Sequence, residues 1–369
     1  MNPLRDIGWP YEGSPDDAQW RDAISAHPQA RVARVIEQHR SGYAVTESQE
    51  GGYRVESLPE WQLPRTAPEQ RAAVGDWVLV EGAVPEGAGA SLPQIVALLP
   101  RHSAIKRGAA GEHYKQQLIA ANVDTVFVVS GLDADFNPRR IERYLLLIAG
   151  SGATPVVVLT KADHADADSA AAIDALADTT AQGVAVVTLN AKDVEAVNGT
   201  LGQWLQPGRT AVLVGSSGAG KSTLTNTLLG VEKMKTAHVR ESDARGRHTT
   251  THRALIALPS GACLIDTPGM RELKPTGEED VADSFADVEA LAERCKFRDC
   301  RHAAEPGCAV RAAIGAGELD PARFANYLKL RDEVAGAAGQ LATRLAQKAS
   351  ARVQGKALNK RLDDKYGRH

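Results

Sequence analysis

Gly215, Gly220, Lys221 and Ser222 satisfy the pattern G-x-x-x-x-G-K-[ST] in full, within Gly215-Ser216-Ser217-Gly218-Ala219-Gly220-Lys221-Ser222-Thr223. The spacing has a chemical reason. A glycine-rich turn lets successive backbone N–H groups face a phosphate without Cβ obstruction. A helix starting near Lys221 adds the partial positive charge of its N-terminus. The Lys221 ammonium then reaches the β- and γ-phosphates, and the Ser222 hydroxyl ligates Mg²⁺. This is nucleoside triphosphate chemistry. An apolar run at 211–214 reads as the buried strand before the loop, and Leu224, Leu228 and Leu229 as the helix after it.

Three further stretches fit a guanine nucleotide. Thr160-Lys161-Ala162-Asp163 follows an apolar run at 155–159. A carboxylate there can accept from guanine N1–H and the exocyclic amine, while a lysine stem packs along the base. Asn190-Ala191-Lys192 follows the next apolar run, where a backbone amide can reach guanine O6. Asp266-Thr267-Pro268-Gly269 fits D-x-x-G at a strand end. It places a carboxylate behind the Mg²⁺ and the Gly269 N–H on the γ-phosphate. Between them, residues 245–253 are polar, lack apolar periodicity and read as a loop. A threonine of that loop, assigned to Thr250, completes the Mg²⁺ shell. Many GTPases carry a glutamine just after D-x-x-G to orient the attacking water. Here Met270 stands in that position, so His248 in the polar loop is the candidate for the role.

Cys295, Cys300, His302 and Cys308 make a different chemistry. Three thiols and an imidazole at this density suit tetrahedral Zn²⁺, and four protein ligands leave no open position for catalysis. The fourth cysteine, Cys263, reads as a core residue.

These residues need a multidomain α/β chain to position them. Its 369 residues suit two or three domains, and 43% apolar with 24% charged is ordinary for a globular protein. Net charge is −3, so any attraction to nucleic acid must come from local patches. No apolar run reaches membrane-spanning length, and the N-terminal stretch lacks a signal-peptide pattern; a cytoplasmic protein with no membrane contact is expected. Residues 1–30 read as a loosely ordered extension. Short strands at 34–39, 42–46, 53–55 and 77–80 suggest a small antiparallel barrel of the oligonucleotide-binding (OB) type over 31–100. Strands at 126–129, 155–159 and 184–187, with a helix at 138–148, indicate a mostly parallel sheet over 101–275. A helical zinc-binding domain occupies 276–343, and a basic tail 344–369. The base-recognition motifs precede the phosphate loop, the reverse of ordinary GTPases. The same sheet can be built if the chain enters it at another strand, a circular permutation.

Taken together the chain resembles the circularly permuted, ribosome small subunit-dependent GTPase A family. The resemblance is carried by residues 215–222, the Gly246-Arg247-His248-Thr249-Thr250-Thr251 run, Asp266 to Gly269 and the cysteine–histidine cluster. It implies an OB barrel, a permuted P-loop domain, GTP hydrolysis to GDP and one structural zinc. It also implies a monomer that acts on the small ribosomal subunit, contacting its rRNA late in assembly. Two other readings compete: a P-loop ATPase or small-molecule kinase, and an RNA-binding assembly factor whose GTP is only structural.

Overall fold

The computed structural model describes residues 2–39, 42–63, 66–85, 90–108, 116–164, 168–230, 254–266 and 279–366. The chain divides into two compact units, 1–107 with 116–273, and 108–115 with 274–369.

The first unit opens with helix α1 (Ala18–Ala26), capped by the Asp17 carboxylate. Strands β1 (Arg31–His39), β2 (Gly42–Thr46), β3 (Tyr53–Val55), β4 (Trp77–Glu81) and β5 (Gln94–Leu98) follow. β1 pairs with β2 and β4, β2 with β3, and β4 with β5, all antiparallel. A parallel bridge, Glu56 to Gln94, closes the end of β3 onto β5. The closed order 1-2-3-5-4 is that of an OB barrel. Period-2 alternation sends Val78 and Val80 into the barrel with Val35, Val45 and Ile95. Trp77 and Leu79 then face outward, and Ile7, Trp9 and Trp20 cover them. The loosely ordered extension expected for 1–30 is corrected here: α1 is formed, and Ile7, Trp9 and Trp20 are buried. A strand apolar on both faces needs a second cover, and the N-terminal segment supplies it.

β6 (Ala104–Gly108) and β7 (Gln116–Ala121) pair with each other. Then come β8 (Thr125–Gly131), α2 (Pro138–Ile148), β9 (Thr154–Thr160), α3 (Ser169–Asp174), α4 (Ala177–Ala181), β10 (Ala185–Thr188), α5 (Val194–Leu201), β11 (Thr210–Val214), α6 (Lys221–Leu229), β12 (Ala254–Ala257) and β13 (Cys263–Asp266). Their sheet order is β10-β9-β8-β11-β13-β12, parallel except for the antiparallel β12–β13 pair. Both faces are covered. Ile141, Tyr144 and Leu147 of α2 pack on Val126, Val128 and Val212. Val197 of α5 and Leu224 and Leu228 of α6 pack on Phe127, Val129 and Leu213. Strands buried on both faces read as unbroken Val/Leu runs, which is why the sequence shows them so plainly.

β12 was not visible in the sequence, and it joins the two sheets: Glu37 of β1 pairs with Ala254, which also pairs with Asp266. Arg34 of β1 reinforces the joint. Fully buried, it donates to the carbonyls of Ile7 (2.5 Å), Gly75 (3.2 Å) and Asn122 (3.2 Å). Cys263 lies at the same joint, and burial pushes its thiol up to about 11, in keeping with a core residue.

The second unit contains α7 (Val281–Ser284), α8 (Ala286–Ala292), α9 (Ala309–Ala316) and the long α10 (Pro321–Tyr366). Arg323 forms a two-pronged contact with Asp287, its Nε at 2.8 Å and Nη2 at 2.6 Å from the carboxylate oxygens. Among the described residues, no helix is long and apolar enough to cross a membrane.

Candidate functional site

The C-terminal ends of the parallel strands gather the expected motifs. Val214 of β11 lies beside Val128 of β8, Gly131 of β8 beside Thr160 of β9, and Leu159 of β9 beside Thr188 of β10. The phosphate loop leaves β11 next to β8, where the order of connections reverses, the usual ligand crevice of an open α/β sheet. Gly215 has φ +143, and a Cβ there would lie 2.1 Å from the Val129 carbonyl oxygen, so only glycine fits. Gly220 (φ +93) is the N-cap of α6 and offers no side-chain cap. The starts of α1, α2, α3 and α5 are each capped by Asp or Asn. α6 alone among these five leaves its first amides to another acceptor, the arrangement that suits phosphate. Lys221 folds back over the loop, donating to the carbonyls of Gly215 (2.7 Å) and Ser216. Ser217 and Gly218 form the exposed crest, Ala219 is buried beneath it, and Ser222 and Thr223 follow in the first turn of α6.

The base side is equally connected. The Asp163 carboxylate lies 3.8 Å from the Lys192 ammonium, so the base loop meets the 190–192 loop. Asn190 accepts from the Lys192 amide (3.0 Å), and the Thr227 hydroxyl of α6 donates to the Ala191 carbonyl (2.6 Å). Lys161 takes a positive φ of 62, and its ammonium pairs with Asp133.

Thr160 departs from expectation. Its side chain is fully buried, and the hydroxyl donates to the Ala219 carbonyl of the phosphate loop (2.6 Å). This bond ties the phosphate loop to the end of β9. Asp133 and Asp135, in the loop after β8, were missed. Asp135 accepts from Ser216 (2.7 Å) and pairs with Arg140 (2.7 Å); Arg140 first, then Ser216, hold its carboxyl below the ordinary range. Their place follows from the sheet order, since a loop following the strand next to the phosphate-loop strand must border the crevice. Asp266 ends β13. The 245–253 loop with His248 and Thr250, and Thr267, Pro268, Gly269 and Met270, lie outside the described residues.

The metal cluster is compact. One ligand atom from each of Cys295, Cys300, His302 and Cys308 lies within 4.8 Å of the others. Cys295 Sγ is 3.9 Å from Cys308 Sγ and 3.6 Å from His302 Nδ1; Cys308 Sγ is 3.5 Å from the same nitrogen. A tetrahedron with Zn–S of about 2.3 Å and Zn–N of about 2.05 Å has S–S edges of about 3.8 Å and S–N edges of about 3.6 Å. The donor set and its spacing therefore fit zinc held by protein ligands alone. His302 reaches the cluster through a positive φ of 59.

Curated relatives match nearly the whole length. "Small ribosomal subunit biogenesis GTPase RsgA" of Xanthomonas axonopodis pv. citri is 64% identical over 368 residues, covering 99% of this chain and 97% of that protein. The protein of the same name from Xanthomonas campestris pv. campestris is 65% identical over 355 residues, 96% and 94% of the two chains. The chain belongs to the RsgA GTPase family. The RsgA GTPase family model itself matches residues 98–276. The crystal structure of YjeQ from Thermotoga maritima superposes with a TM-score of 0.58 at 25% identity, covering 83% of this chain and 99% of that one. YloQ, described as a circularly permuted GTPase, shares the fold with a TM-score of 0.56 at 22% identity, covering 84% and 96%. RsgA family membership makes this chain a GTP hydrolase, and the ATPase and kinase readings fall away. The sheet order accommodates the permutation: residues 160–163 and 190–192, after β9 and β10, come first in sequence, yet Thr160 reaches Ala219 of the later phosphate loop.

Proposed function

We propose that the chain hydrolyses GTP when it docks on the small ribosomal subunit, as a monomeric cytoplasmic factor in late assembly of that subunit. The observation that carries this is the identity of 64–65% over 96–99% of the chain to relatives named for small-subunit biogenesis. The gathered loops support it, because the guanine-reading Asp163 and the phosphate loop are tied into one crevice through Thr160 and Thr227. Lys221 and the amides of 218–222 hold the phosphates. Ser222, Thr250 and Asp266 complete the Mg²⁺ site, and Gly269 meets the γ-phosphate. His248 orients the attacking water in place of Met270. The barrel and the zinc-bearing unit contact rRNA, and that contact speeds hydrolysis at the γ-phosphate. Coupling is reciprocal, so GTP tightens subunit binding and GDP loosens it.

Phosphate release with and without purified small subunits, beside pelleting with a GTP analogue and with GDP, tests this. Subunits accelerate multiple-turnover hydrolysis, and binding favours the analogue. His248→Ala keeps GTP affinity and loses the stimulated rate. Equal binding in both nucleotide states with no acceleration refutes the ribosome-coupled reading. Normal stimulation in His248→Ala removes that residue's role alone.

A further inference from the structure

Among the described side chains of the second unit, one aromatic residue is not used by its core. Phe285, Phe324 and Tyr327 are buried, and the Tyr327 ring lies 5.6 Å from Phe285 and 6.1 Å from Phe324, centroid to centroid. Phe297 stands 41% exposed, the only aromatic among the large exposed apolar side chains of the described residues. It lies on the loop that carries the metal ligands, two residues after Cys295 and three before Cys300. That loop fixes its backbone. The Lys296 amide donates to the Gly307 carbonyl (3.1 Å), and the Cys300 amide to the Phe297 carbonyl (3.3 Å).

The surroundings of the ring are cationic. Lys296, Arg298 and Arg301 are exposed, and the Lys296 ammonium sits 5.5 Å from the ring centroid. Residues 294–311 carry five Lys and Arg against two carboxylates, although the whole chain is net negative at −3. One of those carboxylates, Glu305, is turned onto the loop's own backbone. It accepts from the amides of Arg301 (3.1 Å), Ala303 (2.9 Å) and Ala304 (3.1 Å). The patch therefore presents an exposed aromatic ring among cations, with the Lys296 ammonium over one face. Phosphates match the charge, and an unpaired base matches the face. A duplex matches only the charge, since its bases are already stacked on one another.

We propose that Phe297 is a stacking platform for an unpaired RNA base, with Lys296, Arg298 and Arg301 on the adjoining phosphates. The inference rests on the reading that this chain docks on the small ribosomal subunit, and it names the chemistry that part of the docking uses.

The test uses the full zinc-loaded chain and a labelled single-stranded RNA of about twelve nucleotides, with an RNA duplex of equal length as the control. Anisotropy titrations across a salt series give affinity and salt slope. The intact chain binds the single strand more tightly than the duplex. Phe297→Leu weakens single-strand binding about 5- to 150-fold, the usual range for a lost base–aromatic stack, with the salt slope unchanged. Phe297→Tyr retains binding. Replacing Lys296, Arg298 and Arg301 by Gln lowers the slope by about two, at roughly 0.7 per phosphate contact on a single strand. Zinc content of each variant reports that the loop is intact. Unchanged affinity in Phe297→Leu, or no preference for the single strand, overturns the proposal. Parallel pelleting with small subunits separates the two levels. Subunit binding that depends on Phe297 in a chain that binds no RNA assigns the ring to a protein surface and overturns base stacking. Absence of any nucleotide-dependent subunit binding is the failure of the docking reading itself.

Discussion

The candidate metal cluster groups four residues within 295–308, while the proposed nucleotide site draws on residues at or just after the ends of β8, β9, β10, β11 and β13, from Asp133 to Asp266. The first needs a turn, a tight loop and an ion. The second needs a finished sheet before any of its groups can meet. Asp163 and Lys192 lie 3.8 Å apart only because β9 and β10 pair in register. A site built from a contiguous segment stakes its stability on one ligand. A site built from strand ends borrows stability from the fold and can spend its polar groups on recognition.

The sharpest break of that comparison is removal of the metal. Binding free energy of a structural zinc, about 10–16 kcal/mol in small domains, is as large as the stability of a typical domain. Cys300→Ser/Cys308→Ser therefore loses zinc and much of the helical signal of the second unit. Nucleotide binding by the first unit changes less than about threefold, because its core is assembled from its own strands and helices. Metal analysis, circular dichroism and a fluorescent guanine nucleotide titration measure all three. Full zinc content in that double variant means the ligands lie elsewhere. Collapse of nucleotide binding along with the zinc means the two sites do not fail separately.

Next in size is Asp163. Asp163→Asn replaces a charged acceptor of two guanine donors by an amide that presents one donor. At roughly 1.5–3 kcal/mol for each charge-assisted hydrogen bond, GTP affinity falls about 100- to 10,000-fold. Xanthine nucleotides, whose donor pattern suits the amide, regain part of it. Competition titrations with GTP, xanthosine triphosphate and ATP measure this. ATP competing as well as GTP against the unaltered chain would remove guanine recognition from this loop.

Legibility followed the same division. The cysteine–histidine cluster and the phosphate loop were readable because each lies within one short stretch, 295–308 and 215–222, at a distinctive spacing. The strands at 126–129, 155–159 and 211–214 were readable because burial on both faces leaves unbroken apolar runs, and all three are present. β12 was not, since Ala254 to Ala257 has only four residues and its place is set by partners on β1 and β13. The fold of the N-terminal segment was hidden for a related reason. Pro3, Pro10, Pro15 and Pro28 argue for a loop, and only the outward face of Trp77 and Leu79 explains why Trp9 and Trp20 are held down. Asp133 and Asp135 carry no motif; topology alone places them beside Lys161 and Ser216.

The finest test concerns Thr160, where a base-loop residue serves the phosphate loop. Thr160→Val keeps the shape and deletes one hydroxyl. The Ala219 carbonyl then loses the donor that the Thr160 hydroxyl supplied. An unsatisfied buried acceptor costs about 1–3 kcal/mol. Gly220 is packed so closely on this hydroxyl that a Cβ there would lie 2.9 Å from it, so the loss falls on the hinge between the loop and α6. The expected outcome is a fall of roughly tenfold in affinity for GTP and GDP alike. The preference for guanine over adenine stays intact, because Asp163 is unchanged. Thr160→Ser, which keeps the hydroxyl, restores most of the affinity. If Thr160 instead met the base, its valine variant would lose discrimination between GTP and ATP and keep its hold on the phosphates. Measuring GTP, GDP, ATP and pyrophosphate binding for the two variants separates those outcomes. Pyrophosphate decides it, since a brace on the phosphate loop weakens that ligand and a contact to the base leaves it untouched.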